Sequence, residues 1–269
     1  MHPARPAATR LAAQTRTWWE DRGYEVVDLG EDPTADKVEL AVSLGGDGTM
    51  LRTVELATPL GAPVLGVNLG RMGYLTEVEP AGLETSFERF VAGNYTVAER
   101  MTLAVEVTKR GEERSPARGL VALNEAVVEK VAPGHTIRLD VAISGRPFLK
   151  YAADGLIVST PTGSTAYNLS ARGPILSPSV RAMVLTPISP HSPHMLFDRS
   201  LVLDASEWVR LTVVGAQPAT LVVDGSATVQ LAPGDVVTCR TAETAARIVT
   251  FGRRDFHAIL RRKFGLADS

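Results

Sequence analysis

At about residue 95 the chain changes texture, and that change constrains its architecture more than any other feature. Before it, strand-like and helix-like stretches alternate: Tyr24–Leu29 and Val38–Leu44 read as short strands, Thr49–Ala57 as a helix, and Pro63–Val67 as another strand. Alternation of this kind builds a parallel sheet with helices on its faces. From Tyr95 to Phe251 the pattern becomes a series of short β-rich runs, among them Leu103–Thr108, Leu120–Glu129, Ile137–Ile143, Val209–Val214, Ala219–Val223 and Val236–Arg240. Turn signals such as Ser144-Gly145-Arg146, Asp224-Gly225 and Pro233-Gly234-Asp235 separate them. The expected fold is α/β plus all-β. A Rossmann-like α/β domain occupies residues 1–96, a β-rich, sandwich-like domain residues 97–251, and a C-terminal helix in 252–269 packs back on the first domain. A length of 269 residues agrees with two domains at about 150 residues each.

Leu11, Thr15, Trp18 and Trp19 recur at helical spacing between Pro6 and Gly23, which predicts an amphipathic helix over Ala7–Arg22. A second terminal helix is expected over Asp255–Lys263, with Arg261-Arg262-Lys263 as a solvated basic face. Charge excludes one class of function: 28 basic against 30 acidic residues leave a net charge of −2, and such a chain has no field to draw in a polyanion. It is not expected to bind nucleic acid. The single Cys239 excludes an internal disulfide and a cysteine metal cluster, and fits a reducing, cytoplasmic compartment. No secretory signal and no run of ~18 apolar residues is visible, so no membrane partner is expected.

Two loops carry the chemistry. Ser43-Leu44-Gly45-Gly46-Asp47-Gly48-Thr49 sets a glycine-rich turn between a buried strand and a helix. Glycines let the main chain approach a phosphate, and the helix start supplies free N–H groups and the positive end of a dipole. The loop is neither a Walker A motif nor a dinucleotide fingerprint. Asp47 at its centre suits a proton acceptor or a Mg²⁺ ligand, and equally a helix cap. The second loop runs from Asp154-Gly155 through Ser159-Thr160-Pro161-Thr162-Gly163-Ser164-Thr165-Ala166-Tyr167-Asn168-Leu169-Ser170. Its hydroxyls and amide suit a nucleotide's polar edges, and Tyr167 offers a ring for a base, although a Ser/Thr-rich turn explains the same residues. Leu123-Asn124-Glu125 ends a strand with a polar pair that grips ribose hydroxyls or closes a turn. In Pro190-His191-Ser192-Pro193-His194 only two imidazoles are visible, so that segment reads as structural.

Taken in order, Gly45-Gly46-Asp47-Gly48-Thr49, Gly66-x-Asn68-x-Gly70-x-x-Gly73-Tyr74-Leu75, Asn124-Glu125, and Asp154-Gly155 through Gly173-Pro174 resemble the NAD kinases, as does the ending Leu260-x-x-Lys263-x-Gly265. The first motif alone is shared with diacylglycerol, sphingosine and phosphofructo-kinases; the Ser-Thr-Pro-Thr-Gly-Ser-Thr-Ala-Tyr segment is far more specific. The resemblance implies transfer of the terminal phosphoryl group of ATP, or in some members of polyphosphate, to the adenosine 2′-hydroxyl of NAD. It implies Asp47 as proton acceptor, with Gly48 beside it and Arg52 touching the substrate. Asn124, Glu125, His135, Ala152, Asp154, Thr165, Ala166, Tyr167, Asn168, Leu169 and Ser170 are then NAD-binding, and Gly45, Gly46, Gly48 and Thr49 take the phosphates. A divalent cation, Mg²⁺, is implied with no dedicated set of protein ligands, and so is a homodimer or homotetramer built through the β-rich half. Three departures stand out, one of them at Asp224-Gly225-Ser226, where members often carry Asn or Gln in the third place. The chain opens almost at its first helix, so either the sheet lacks the strand that precedes this helix in the family or the start is truncated. Ala152 also stands where some members carry a basic or polar contact.

A lipid kinase sharing the glycine loop is the alternative, and a non-catalytic dinucleotide sensor a third reading. The lipid kinase predicts an amphipathic membrane-facing element that no segment advertises and leaves the second loop unexplained. A sensor would be free to lose Asp47, which is present. The substrate is expected where the two domains' motifs converge.

Overall fold

The computed structural model describes residues 6–31, 37–70, 73–112, 119–191, 198–252 and 255–265. The chain runs through α1 (Pro6–Glu20), β1 (Ala41–Gly45), α2 (Asp47–Ala57), β2 (Val64–Asn68), α3 (Leu83–Val91) and β3 (Thr96–Arg100). It continues with β4 (Leu103–Thr108), β5 (Leu120–Ala122), β6 (Glu125–Lys130), β7 (Ile137–Ile143), β8 (Arg146–Ser159), the one-turn α4 (Tyr167–Ser170), β9 (Ala182–Pro190) and β10 (Leu201–Asp204). Then follow β11 (Trp208–Val214), β12 (Ala219–Val223), β13 (Ala227–Leu231), β14 (Val236–Thr241), β15 (Ala246–Thr250) and α5 (Phe256–Lys263). These elements form two compact units, one from residues 1–100 and 244–269, the other from 101–243.

In the first unit the strand order is β1-β2-β15-β3. β1 and β2 are parallel, from Ala41 opposite Val64 to Gly45 opposite Asn68. β2 is buried along its whole length, as a central strand covered on both faces must be. β15 pairs with β3 antiparallel through five registered residues and meets β2 at Ile248 and Val64. The unit thus closes its sheet with a strand from the far end of the sequence, and its boundaries fall at 100/101 and 243/244 where the sequence placed them at 96/97 and 251/252. Leu11, Trp18 and Trp19 of α1 pack with Phe87, Leu44, Leu65, Val67 and Val249. Trp18 and Trp19 each lie about 5 Å from the Phe87 ring, at 5.1 and 5.0 Å, and such pairs add about 0.5–1.5 kcal/mol beyond the area they bury. Gly23, at φ 82°, turns the chain out of the helical end.

Tyr24–Leu29, expected as a strand, is irregular. The Val26 carbonyl accepts the Arg16 guanidinium at 2.7 Å, and the Tyr24 ring stands edge-on to Trp19 at 4.9 Å. The Tyr24 N–H also donates to the Trp19 carbonyl at 3.2 Å, so α1 takes two of the backbone groups a ladder would have used.

The second unit is a single antiparallel network of eleven strands in the order β13-β12-β6-β8-β7-β11-β14-β4-β5, with β9 pairing β8 and β10. Its strands share one core, in which Leu103, Val128, Leu139, Leu156, Leu185, Leu211, Leu221 and Val237 are buried together. β8 organises it. Its first half pairs β7, and its last residues, Gly155–Ser159, lie between β6 and β9. Leu156, Ile157 and Val158 there are fully buried, so the strand ends rigidly where the Ser/Thr loop begins. The expected strand Leu120–Glu129 is split into β5 and β6 by Leu123-Asn124. Cys239 is buried and free, its thiol pushed up to about 12 by desolvation.

Candidate functional site

Two groups of residues carry polar chemistry, one in each unit. In the first, β1 ends at Gly45 and α2 starts at Asp47, with Gly46 as N-cap in extended backbone and no side chain capping the helix. The first N–H groups of a helix have no partner within it. Asp47 does not supply one. Its carboxylate turns to the segment after β2, where Oδ2 accepts the Tyr74 N–H at 2.9 Å and Oδ1 the Leu75 N–H at 3.2 Å. Gly73 makes the approach possible, because a Cβ there would overlap Asp47 Oδ1. Gly73-Tyr74-Leu75, the end of the motif that begins at Gly66, is therefore the mount for Asp47. Gly45 lies against the Thr49 side chain, while Gly46 and Gly48 have open space on the side a Cβ would take. Arg52, one turn along α2, is exposed and pairs with Glu55 at 2.6 Å.

In the second unit the Asn124-Glu125 turn is held by Asp224, a residue that the sequence placed in a turn and in the Asp224-Gly225-Ser226 stretch without assigning it a role. The N–H groups of Leu123, Asn124 and Glu125 all donate to its carboxylate, at 2.7, 2.8 and 3.0 Å, and Asp224 N donates to Glu125 O at 3.0 Å. Asp224 sits at φ 49°, a left-handed conformation that Asp tolerates and these four bonds hold in place. The Ser/Thr loop is stitched to the same turn. Thr160 N donates to Asn124 O at 2.8 Å, Thr160 Oγ1 donates to Leu123 O at 2.6 Å and accepts from Gly163 N at 3.0 Å. Gly163 packs so closely that a Cβ would overlap the Asn124 carbonyl.

Glu125 is buried with Oε2 unpartnered among the described residues. Burial first, and then the Asp224 charge, push its carboxyl up to about 8, against a pull downward from the Tyr167 backbone amide. Near neutral pH it is largely a neutral acid, able to donate as well as accept. Asp154 behaves in the opposite way. Lys130 at 2.8 Å and His191 at 3.2 Å hold its carboxyl below the usual carboxylate range. The phenol of Tyr167, a half-exposed ring, is raised by burial and by the charges of Glu129, Asp154 and Glu125. Tyr167, Glu125, Glu129 and Asp154 thus lie close enough to act on one another electrostatically, with Lys130 and His191 beside Asp154.

The remaining expected residues divide. Thr165, Ala166 and Leu169 are half-buried and Ser170 is exposed. Asn168 is fully buried: its amide donates to Ser164 O and Pro174 O at 3.0 Å each and accepts from Thr186 Oγ1 at 2.7 Å, so it braces the loop from within. His135 is exposed in the connection between β6 and β7. Ala152 is half-buried on β8, and its carbonyl accepts the His191 N–H at 2.8 Å. Lys130 and His191 went unread as partners of Asp154, although Lys130 follows Glu129, which is registered opposite Gly155. Ser192, Pro193 and His194 lie outside the described residues. Among the described residues no three His, Cys, Asp or Glu side chains group to hold a metal, and no helix is long and apolar enough to cross a membrane.

Comparison with known proteins gives one answer across both units. Residues 4–95 match the family described as ATP-NAD kinase N-terminal domain, and residues 123–251 the family described as ATP-NAD kinase C-terminal domain. A protein of Heliobacterium modesticaldum named NAD kinase is 42% identical over 273 residues, covering 96% of this chain and 94% of the relative. A Moorella thermoacetica protein of the same name is 43% identical over 226 residues, 82% of this chain and 70% of the relative. Among solved structures, yeast NADH kinase complexed with NADH superposes with a TM-score of 0.85 at 25% identity, over 99% of this chain and 86% of that one. An NAD kinase from Archaeoglobus fulgidus in complex with ATP gives 0.74 at 26% identity, over 94% and 93%.

Proposed function

The chain belongs to the NAD kinase family, and from that premise we propose how its residues transfer the terminal phosphoryl group of ATP to the adenosine 2′-hydroxyl of NAD, the reaction that makes NADP. The lipid-kinase alternative finds no support in these matches. A secondary alcohol is a weak nucleophile until its proton is accepted. Asp47 takes that proton; the 2′-oxygen forms its bond to the γ-phosphorus while the bond from phosphorus to the β,γ-bridging oxygen breaks, and its electron pair leaves with ADP. The observation that carries this reading is the aim of the Asp47 carboxylate, which two backbone amides hold clear of the uncapped helix start.

The N–H groups from Gly45 to Thr49 and the dipole of α2 then meet the phosphates, with Gly46 and Gly48 leaving the open space that admits them. Arg52 reaches the substrate by leaving Glu55. A Mg²⁺ ion is compatible with this donor set, because Mg²⁺ is typically held by one or two carboxylates together with substrate phosphates and water. Asp47 would be its protein ligand, and the ion would neutralise phosphate charge. In the second unit Asn124, neutral Glu125 and Asp154 bind the hydroxyls and amide of the dinucleotide, and Thr165, Ala166 and Tyr167 take the adenine, with Leu169 and Ser170 beside them and Asn168 bracing the loop. His135 and Ala152 complete the contacts. The protein works in the cytoplasm as a homodimer or homotetramer, a state that sedimentation of the purified chain tests.

Purified protein given Mg²⁺, ATP and NAD, with NADP read through an NADP-specific dehydrogenase, tests the activity. Asp47→Asn should lower turnover by roughly 10²–10⁴-fold with far less change in NAD affinity. Wild-type turnover in that variant would remove Asp47 from the role.

A further inference from the structure

The basic end of α5, which its composition marks as a solvated face, does something more specific at its last residue. Asp255 caps the helix by accepting from His257 N and Ala258 N at 2.9 and 3.1 Å, which fixes where its far end falls. There the Lys263 ammonium stands over the Tyr74 ring, 4.7 Å from its centroid. Among the described residues no carboxylate lies within ion-pair distance of Lys263, so the aromatic face is the partner that the structure gives it. Tyr74 is the residue whose N–H holds Asp47 Oδ2, and Leu75, which holds Oδ1, is next to it. Gly73, on the other side, is pressed against the same carboxylate. The Tyr74 phenol also feels the Asp47 charge, which adds to burial in raising it.

We infer that Lys263 is a positioning residue for phosphoryl transfer: its ammonium, seated on the Tyr74 ring, fixes the two backbone amides that hold the Asp47 carboxylate. The inference rests on Asp47 as proton acceptor. A carboxylate held by consecutive amides moves whenever that stretch of backbone moves, and the segment from Gly73 to Leu75 has no ladder of its own to stiffen it. The C-terminal helix supplies the stiffness through a cation lying on a ring. Its effect belongs in turnover, because a displaced base leaves substrate binding intact and misplaces only the proton acceptor.

Steady-state kinetics of the full chain test this with Lys263→Met, Lys263→Arg, Tyr74→Leu and the double variant Lys263→Met/Tyr74→Leu, with Asp47→Asn alongside. Lys263→Met should lose about two- to fivefold in kcat at unchanged melting temperature, with KM for NAD and ATP close to wild type. Lys263→Arg, still able to lie on the ring, should restore kcat. In the Tyr74→Leu background the lysine substitution should change nothing further, since the ring through which it acts is gone. An unchanged kcat in Lys263→Met, an equal loss with and without the ring, or a salt-sensitive rise in KM for ATP, the mark of direct phosphate contact, overturns the inference. Asp47→Asn with full turnover would instead remove the reading on which it stands.

Discussion

Asp47 and Glu125 are two carboxyl groups put to opposite uses by their surroundings. Asp47 is half-exposed and gripped by two amides, whereas Glu125 is buried with one oxygen unpartnered and its carboxyl pushed from 4.5 up to about 8. A folded-state value above the unfolded one means that the native protein holds a proton that the unfolded chain releases between about 4.5 and about 8. Stability from this group is full at the acid end of that window and is lost as pH rises through it. The melting temperature of the wild type should therefore fall from pH 5 to pH 8.5 more steeply than that of Glu125→Gln, which cannot ionise; parallel curves would contradict the assignment. Both acids were legible in the sequence, because each sits inside a local motif. Asp224 was not, beyond its turn, since its work is to collect three amides some hundred residues away, and nothing in local spacing records such a partnership. Lys130 and His191 escaped for the same reason: their partnership with Asp154 is made across neighbouring strands.

Among the elements, Leu103–Thr108, Ile137–Ile143 and Ala219–Val223 are strands to the residue as the sequence predicts, because apolar runs bounded by turn residues leave one way to bury them. Tyr24–Leu29 has a strand-like composition, but α1 takes its backbone carbonyl and its ring. The predicted run Leu120–Glu129 breaks at Leu123-Asn124, where amides that would continue a ladder turn to Asp224 instead. That interruption is what offers the Asn124-Glu125 pair as a turn. Asp224→Ala should lower unfolding free energy in urea by at least about 1–3 kcal/mol, since amides lose a charged acceptor, and should raise KM for NAD with it. A variant as stable as wild type, with unchanged KM, would show that the turn holds itself.

Across the whole molecule, one unit is continuous in sequence and the other is not. Among the described residues β3 pairs with β15 alone, and β1 with β2 alone would be a two-stranded sheet, a size that is marginal in water. Residues 101–243 expressed alone should unfold cooperatively in urea, whereas residues 1–100 alone should show no cooperative transition; cooperative unfolding of the shorter piece would refute the dependence on β15. The two-part division was legible from the change of texture, but the boundary at 243/244 was not, because Ala246–Thr250 is a short β-rich run like the strands on the other side of it. The late arrival of β15 also sets a clock on synthesis. The glycine loop leaves the ribosome early, yet its sheet waits for its closing strand while the whole second unit is translated, on the order of ten seconds or more at about 5–20 residues per second. A message cut short anywhere before that strand yields a chain with Asp47 in place in the sequence and no closed sheet to carry it, so only finished chains acquire the catalyst.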